Sequence, residues 1–291
     1  MTISRTAPDR PNIAPGLHFV ATPIGAARDI TLRALDILAG ADVLAAEDTR
    51  TLRHLMEIHG IHVGGRQLIA YNDHNGEAVR PRLIAALKDG KSVAYASEAG
   101  TPLVADPGFQ LARAAIAEGV TVLAAPGPSA LLCALAVAGL PTDRFMFAGF
   151  LPNRQGARQS ALADLAHIPA TLVFYESPKR LVACLHDMEK VLGRDRQAAV
   201  CRELTKKYEE VVRGTLSELV AAFSERDVKG EVVIVVNRAA PSEISAASVQ
   251  EALKSALQSH SVKDAVTFVA ETLGMSRRGV YQLALKLEAK K

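Results

Sequence analysis

Four loops rich in glycine, proline and polar residues each follow an apolar run that predicts a strand. Glycine lets the backbone approach a ligand closely or take a positive φ, and a neighbouring proline stiffens the loop. In open α/β sheets ligands bind beyond the carboxyl ends of the strands, so the four loops together predict one shared cleft. For each loop alone, a tight turn without a ligand is the alternative. The loops are ATPIG (21–25), SEAGTPLVADPG (97–108), APGPSA (125–130) and FYESPKR (174–180).

Other ligand signatures are missing from the sequence. The loops match neither the GxGxxG spacing of dinucleotide-binding loops nor the GxxxxGK[ST] spacing of phosphate-binding loops. The eight histidines show no HxH or HxxxH spacing, and Cys133, Cys184 and Cys201 show no CxxC spacing. We therefore expect no metal site and no disulfide framework, and we expect the cysteines to be reduced and buried.

The elements that would position these loops predict an α/β fold. Apolar runs alternate with amphipathic stretches as far as about residue 125, which is typical of β/α units around a largely parallel sheet. Beyond the segment 139–152, strand-like runs at 171–177, 197–204, 209–215 and 230–236 are separated by only two clear helices, at 178–193 and 216–224, which predicts a mixed sheet. We expect a disordered leader (1–16), an N-terminal α/β domain (17–125), a second α/β domain (126–238), a linker (237–248) and a helix-turn-helix-like appendage (249–291).

Composition and charge narrow the function classes. A chain of 291 residues that is 49% hydrophobic can bury a large core, and its longest nearly apolar run, 130–140, is far shorter than the roughly 20 residues that span a bilayer. The leader lacks the apolar stretch of an export signal, so we expect a cytoplasmic protein without a membrane segment. Residues 249–291 hold seven basic and four acidic side chains, which accounts for the whole formal charge of +3. This favours a polyanionic partner, with an ordinary solvated helix surface as the alternative.

The ordered set of motifs resembles one family, from about Leu17 to Asn237. The set resembles the ribosomal RNA small subunit methyltransferase I family of the tetrapyrrole methylase superfamily, and the C-terminal helices resemble the small helix-turn-helix appendage of many members. The motifs are VATPIG (20–25), DITLRAL (29–35), AEDTR (46–50), SEAGTPLVADPG, APGPSALLCAL (125–135), GLPTDRFMFAGFLP (139–152), FYESPKR, RELTKKYEE (202–210), RGTL (213–216) and GE (230–231).

The resemblance implies a homodimeric, two-domain class III methyltransferase that uses S-adenosylmethionine. The implied substrate is a cytidine ribose 2′-hydroxyl in small-subunit (16S) ribosomal RNA, presented in an assembled particle. The cofactor is expected to bind, folded, in the cleft between the two α/β domains. The implied cofactor-binding residues are Pro23, Ala99, Gly100, Thr101, Val104, Ser129, Ala130, Tyr175, Glu176, Leu204 and Thr205.

Two positions depart from the family pattern. Glu98 stands where the family commonly has Asp, which keeps the carboxylate one methylene further out, so we expect its role to be retained. Residues 26–28 read Ala-Ala-Arg in place of an Asn-Leu-Gly type sequence, so no substrate contact is assigned to that loop.

Methyl transfer to a ribose hydroxyl would need a group that removes or orients its proton, which contributes about 10²- to 10⁴-fold. Our catalytic candidates are Asp48, Glu98 and Lys179, and the residues leave the choice open. Asp48 can equally cap the helix that follows it and pair with Arg50. Lys179 stands at a helix start, where a cation opposes the macrodipole, which favours a phosphate partner. The wider set of candidates adds Arg50, Glu176, Glu203 and Lys206.

RNA binding is expected to depend on charge, because the chain has no tryptophan and only 4% aromatic residues. The predicted RNA contacts are Arg50, Arg144, Arg154, Arg158, Arg277 and Arg278. Two other functions stay open from the residues: methylation of a tetrapyrrole or another small molecule, and a noncatalytic RNA-binding assembly factor.

Predicted caps complete the helix assignments. Asp106 and Pro107 should open the helix that begins near Gly108. Ser261 and Ser276 are predicted N-caps in the appendage, and Gly274 is a predicted helix stop.

Overall fold

The computed structural model describes residues 11–104, 108–239, 246–258, 260–273 and 277–288. Contacts between residues divide the described chain into two units. The first unit runs to Asn237 without residues 166–170, and the second combines residues 166–170 with those from Arg238 onward. Several predictions lie outside the described residues: the caps at Asp106, Pro107, Gly274 and Ser276, residues 1–10 of the leader and residues 240–245 of the linker.

The N-terminal half of the first unit is built on a five-stranded parallel sheet with the order β3-β2-β4-β1-β5. All residues of the inner strands β1 and β4 are buried, as expected for parallel strands covered by helices on both faces. The strands are β1 (Gly16–Val20), β2 (Val43–Ala46), β3 (Gln67–Ala70), β4 (Ser92–Ala96) and β5 (Val122–Ala125), and the helices are α1 (Leu32–Gly40), α2 (Thr49–Ile58), α3 (Gly76–Lys88) and α4 (Gly108–Ala117).

Two cores hold the helices to the first sheet. On one face Leu111 of α4 packs among residues that include Phe19 and Tyr95, whose rings meet edge to face with centroids 5.5 Å apart. On the other face Leu38 of α1 packs with Leu44 of β2. Because β1 and β4 are parallel neighbours, the loops that follow them leave the same edge of the sheet.

The second half of the first unit is built on a mixed sheet with the order β6-β7-β10-β8-β9. Strands β6 and β7 are parallel, and the other neighbouring pairs are antiparallel. The strands are β6 (Phe145–Phe150), β7 (Thr171–Glu176), β8 (Gln197–Arg202), β9 (Glu210–Thr215) and β10 (Val232–Val236), and the helices are α5 (Ala130–Ala138), α6 (Gln155–Leu165), α7 (Leu181–Leu192) and α8 (Leu216–Phe223). The predicted α/β fold class is confirmed, whereas the division into domains at residue 125 stays a prediction.

Strand β6 and helix α6 were not predicted from the sequence, because neither shows the regular hydrophobic pattern of its element. Gly149 has a φ of +65° at a register shift in β6, so the strand does not alternate regularly. Helix α6 buries Arg158 together with Leu162, so a charged residue interrupts the apolar pattern of its inward face. The helix predicted from residue 178 begins instead as a 3-10 turn, Pro178–Arg180, and α7 follows from Leu181.

Among its described residues the second unit contains three helices, α9 (Ala246–Ala256), α10 (Val262–Leu273) and α11 (Arg277–Glu288). They share a core in which Leu253, Val269 and Val280 are buried. The Ser261 hydroxyl accepts a hydrogen bond from the Asp264 amide at 3.3 Å, which is the predicted N-cap of α10. Within the described ranges, no helix has the length and apolar character needed to cross a membrane.

Candidate active site

The loop after β1 is joined to the loop after β4 by two backbone hydrogen bonds. Thr22 and Gly100 exchange amide-to-carbonyl bonds of 3.0 Å each, and the Ser97 hydroxyl donates to the Gly100 carbonyl at 2.9 Å. Gly100 has a φ of +81°, which L side chains rarely adopt. The glycine that the sequence singled out is therefore required by the backbone conformation.

The loop after β5 is attached to the same structure. The Thr101 hydroxyl donates to the Pro128 carbonyl at 2.9 Å. Gly127 lies so close to the first loop that an added Cβ would be 2.9 Å from the Cβ of Ala21. Three of the four predicted loops thus form one wall.

A cavity of about 360 Å³ lies against this wall, within the size range of small-molecule sites. Its opposite side comes from the second sheet, at the ends of β6 and β7 and the start of β10. Eight of the eleven predicted cofactor-binding residues line it: Ala99, Gly100, Thr101, Val104, Ser129, Ala130, Tyr175 and Glu176. The other lining residues are Ile24, Phe150, Ser177, Pro178, Gly230, Glu231, Val232 and Val233.

The remaining three predicted cofactor-binding residues do not line this cavity. Leu204 lines a small void of about 20 Å³ that shares Ile24 with the cavity, and Pro23 is half-buried in the first loop. Thr205 accepts a hydrogen bond from the Ala26 amide at 3.2 Å. A Cβ on Gly25 would lie 2.7 Å from the Thr205 hydroxyl oxygen. Thr205 thus joins the second sheet to the loop after β1.

Glu176 is the buried acid of the cavity, with a side chain only 1% exposed. Its Oε1 accepts from the Ser177 amide at 2.7 Å, whereas no described group donates a hydrogen bond to its Oε2. Arg180 Nη2 lies 3.1 Å from Oε2 as an ion pair and donates to the Leu151 carbonyl at 2.6 Å. The neighbouring Cys184 thiol is a weak donor, and burial together with the Glu176 carboxylate raises its pKa. Glu176 Oε2 is therefore a buried carboxylate oxygen whose charge is paired with Arg180.

The three catalytic candidates lie outside the cavity lining. The Asp48 carboxylate caps α2 by accepting from the Arg50 amide at 2.7 Å and pairs with the Arg50 guanidinium at 3.1 Å, which together lower its pKa. This is the capping alternative left open by the sequence. Glu98 and Lys179 are exposed, and each is adjacent in the chain to a lining residue, Ala99 and Pro178 respectively.

Glu203 and Lys206 form a charged pair beside the cavity. Lys206 Nζ lies 2.8 Å from Glu203 and 2.9 Å from the cavity-lining Glu231. The hydrogen bond from Lys206 lowers the pKa of Glu203. Burial alone would lower the pKa of Lys206, but its bonds to the two carboxylates raise it. Neither group is therefore suited to take up a proton near neutral pH.

The predicted RNA contacts divide into exposed and buried residues. Arg158 is only 5% exposed, and its Nε donates to Asp187 Oδ2 at 2.6 Å, so it presents no surface to a phosphate and we withdraw it from the set. The other five are exposed: Arg50, Arg144, Arg154, Arg277 and Arg278, of which the last two lie in α11 of the second unit.

Sequence reasoning assigned no role in the cavity to Phe150 or to the residues from Gly230 to Val233. Gly230 and Glu231 did belong to the motif set, as GE before the last strand, and this was the available signal. Phe150 lies in the segment whose strand was missed. No cluster of three or more metal-binding side chains occurs in the part of the chain that the structure describes.

Comparisons with known proteins identify relatives over most of the chain. Residues 16–220 match the Tetrapyrrole (Corrin/Porphyrin) Methylases, and residues 243–288 match the RsmI C-terminal HTH domain. The chain is 45% identical to Ribosomal RNA small subunit methyltransferase I of Mesorhizobium japonicum over 282 residues, which is 97% of this chain and 95% of the relative.

Solved structures share the fold at low identity. A cobalt precorrin-4 methyltransferase covers 76% of this chain and 94% of its own, with a TM-score of 0.58 and 19% identity. Uroporphyrin-III C-methyltransferase from Thermus thermophilus, solved with S-adenosyl homocysteine, covers 76% and 97%, with a TM-score of 0.53 and 19% identity.

Proposed function

The chain belongs to the tetrapyrrole methylase family and, within it, to the ribosomal RNA small subunit methyltransferase I proteins, and we propose that it methylates a cytidine ribose 2′-hydroxyl of small-subunit ribosomal RNA. It uses S-adenosylmethionine as its cofactor. The observation that carries the proposal is the cavity walled by loops of both sheets, which eight of the predicted cofactor-binding residues line. We propose the assembled small subunit as the substrate and the cytoplasm as the location.

The cavity residues fit this cofactor. S-adenosylmethionine needs a wall that it can approach closely, and Gly100 supplies one, because a Cβ at this position would lie 3.3 Å from Ile24 of the cavity lining. The wall that contains Gly100 and Thr101 is fixed by hydrogen bonds to Thr22, Ser97 and Pro128, so the ligand can be positioned without reorganisation. When bound, the cofactor supplies a methyl group on a sulfonium, whose transfer leaves a neutral sulfide. The eight lining residues predicted from the sequence would hold it.

Glu98 and Lys179 are the groups that we propose to orient or accept the ribose proton. Each is exposed and follows or precedes a residue that lines the cavity, so each lies where a large substrate can reach it. Asp48 is less suited, because its carboxylate is engaged by Arg50 and its pKa is lowered. The chain's contribution to the chemistry is therefore mainly positioning, with one proton transfer at the rim.

Replacement of Glu176 by glutamine is expected to weaken S-adenosylmethionine binding about 10-fold, because loss of the buried ion pair with Arg180 disturbs the end of β7 that lines the cavity. Calorimetric titration of the full chain measures this. Glu189→Gln is the matched control: this α7 glutamate pairs with Arg194 at 3.3 Å and does not line the cavity. Equal affinities for Glu176→Gln and the unaltered chain would remove Glu176 from the cofactor site.

RNA binding should show the salt dependence of phosphate contacts. For each single-strand phosphate neutralised, the logarithm of the binding constant should fall by about 0.7 per logarithmic unit of salt. Arg154→Gln should reduce that slope by about 0.7, and Arg82→Gln, an exposed arginine paired with Gln67, should not. Filter binding of small subunits over a salt series measures the slopes, and a slope unchanged by Arg154→Gln would contradict the contact.

A second copy of the chain is the protein partner that we propose. Large apolar side chains stand exposed along α4 and β5, which is typical of a surface covered in an assembly. They are Phe109, Ile116 and Leu123.

The function is tested with small subunits from cells that lack the enzyme. Purified full chain and methyl-labelled S-adenosylmethionine should label the RNA, and alkaline hydrolysis should leave the label in a dinucleotide, because a 2′-O-methyl group blocks cleavage of the adjoining phosphodiester. Subunits that already carry the modification are the control. Label in a base, or label in a porphyrin or corrin offered in parallel and none in RNA, would overturn the proposal.

A further inference from the structure

Phe150 occupies an unusual position at the mouth of the cavity. It lines the cavity, and yet 58% of its surface is exposed to solvent. Among the described lining residues it is the only large apolar side chain that is exposed, whereas Ile24, Val232 and Val233 are buried. Phe150 therefore faces the side from which a substrate arrives.

A β-bulge directs Phe150 to this position. The pairing of β6 with β7 shifts register between Phe147 and Gly149. In a regular strand, residues three positions apart lie on opposite faces, but Phe147 and Phe150 both pack edge-on against Tyr175, with centroids at 4.8 and 5.8 Å. The extra residue of the bulge thus brings Phe150 to the cavity face, which is what bulges beside active sites commonly do.

The conformation around Phe150 is fixed on both sides. Gly149 has a φ of +65° and no atom within 4 Å of an added Cβ, so glycine is needed for the backbone angle and not for space. On the other side, Arg180 donates to the Leu151 carbonyl at 2.6 Å, and Arg158 donates to the Asn153 carbonyl at 3.1 Å. These bonds fix the backbone that follows Phe150, and the edge-to-face contact with Tyr175 orients its ring.

We propose that Phe150 is the platform on which the base of the target nucleotide stacks, so that its ribose is presented to the cavity. This inference rests on the proposed function. Proteins that recognise RNA by sequence splay bases out of the helix and stack them on aromatic side chains. In a chain without tryptophan and with few aromatic residues, an exposed, preoriented phenylalanine at the mouth meets that need.

Phe150→Ala and Phe150→Trp test the stacking. A base that stacks on an aromatic side chain binds more tightly, so loss of the ring in Phe150→Ala should raise the KM for undermodified small subunits about 10- to 100-fold. The dissociation constant for S-adenosylmethionine should change less than about twofold. Phe145→Ala is the matched control: it removes another exposed phenylalanine of β6 that does not line the cavity, and it should leave both constants unchanged.

Phe150→Trp would introduce the only tryptophan of the chain, so its fluorescence reports on this site alone. Addition of undermodified subunits should quench its emission, and S-adenosylhomocysteine alone should not. A loss of cofactor affinity in Phe150→Ala would assign the ring to the cofactor, and a dimer lost in that variant alone would assign it to a protein interface; either result overturns the inference. If Phe150→Ala leaves the KM for small subunits unchanged, the stacking inference is overturned but the proposed function stands. If the unaltered chain places no label on ribose, the proposed function itself is overturned.

Discussion

Replacement of Gly100 by valine is expected to lower the affinity for S-adenosylmethionine at least about 100-fold. Backbone strain at this positive φ costs roughly 1–2 kcal/mol for a residue with a side chain, and more for a β-branched residue. The added Cβ would also press on Ile24 at 3.3 Å, and Ile24 lines the cavity. Relief of both requires the loop to move, which breaks the paired Thr22 and Gly100 hydrogen bonds. A loss of about 3 kcal/mol in binding corresponds to the expected change.

Calorimetric titration of the variant measures the affinity, and circular dichroism checks that it is folded. Gly90→Val is the matched control, since Gly90 has a φ of +76° with no atom within 4 Å of an added Cβ and lies outside the cavity. Both variants should lose stability through backbone strain, but only Gly100→Val should lose cofactor affinity. Normal binding by Gly100→Val would show that this loop is not the cofactor wall.

Replacement of Arg158 by methionine is expected to lower the free energy of unfolding by about 3–5 kcal/mol. The guanidinium and the Asp187 carboxylate are 6% and 2% exposed, so the variant would leave an uncompensated buried charge between α6 and α7. Gln155 and Gln159 also donate to this carboxylate, at 3.2 and 2.7 Å, but neither carries a charge. Urea denaturation measures the loss.

Two variants separate stability from RNA binding. Arg154→Met, at an exposed arginine one turn away, should change the unfolding free energy by less than about 0.5 kcal/mol. Arg158→Met combined with Asp187→Leu should recover most of the loss, because it removes the pair and not one partner. If Arg158→Met had the unfolding free energy of the unaltered chain but bound RNA weakly, the arginine would belong to the substrate surface, as the sequence first indicated.

The same pair predicts an acid limit to stability. Burial would raise the pKa of Asp187, but hydrogen bonds from Gln159, Arg158 and Gln155 outweigh it and hold the pKa below the ordinary value of 3.8. The contribution of this group is therefore complete above the unfolded pKa and is lost as the pH falls through the folded one. In urea denaturation at a series of pH values, Asp187→Asn should flatten the decline below about pH 4.

The parts of the fold that the sequence predicted are those that local patterns determine. Strands β1 and β4 are continuous apolar runs because helices cover both faces of their sheet, and such runs are visible in the sequence. Strand β6 lies at the edge of the second sheet and contains a bulge at Gly149, so neither continuous hydrophobicity nor strict alternation marks it. Helix α6 was missed because a charged side chain occupies its buried face.

The same distinction holds for the candidate site. The wall around Gly100 was predictable because the backbone needs glycine and proline there, whatever surrounds it. The burial of Arg158 was not predictable from the sequence, because it depends on an ion pair with Asp187, which lies 29 residues further along the chain. Phe150 was not predicted for a third reason. A β-bulge determines the face of the strand on which it lies, and the hydrophobic periodicity of the sequence does not reveal a bulge.

The contact between Gly25 and Thr205 bears on how this protein can be recombined with its relatives. Gly25 follows a strand of the first sheet and Thr205 follows a strand of the second, and a side chain at position 25 would collide with Lys206 and with the Thr205 hydroxyl. A hybrid that joins the first sheet of another chain to the second sheet of this one therefore needs glycine at the position of Gly25. A larger side chain at this one position would push the loop after β1 away from the second sheet.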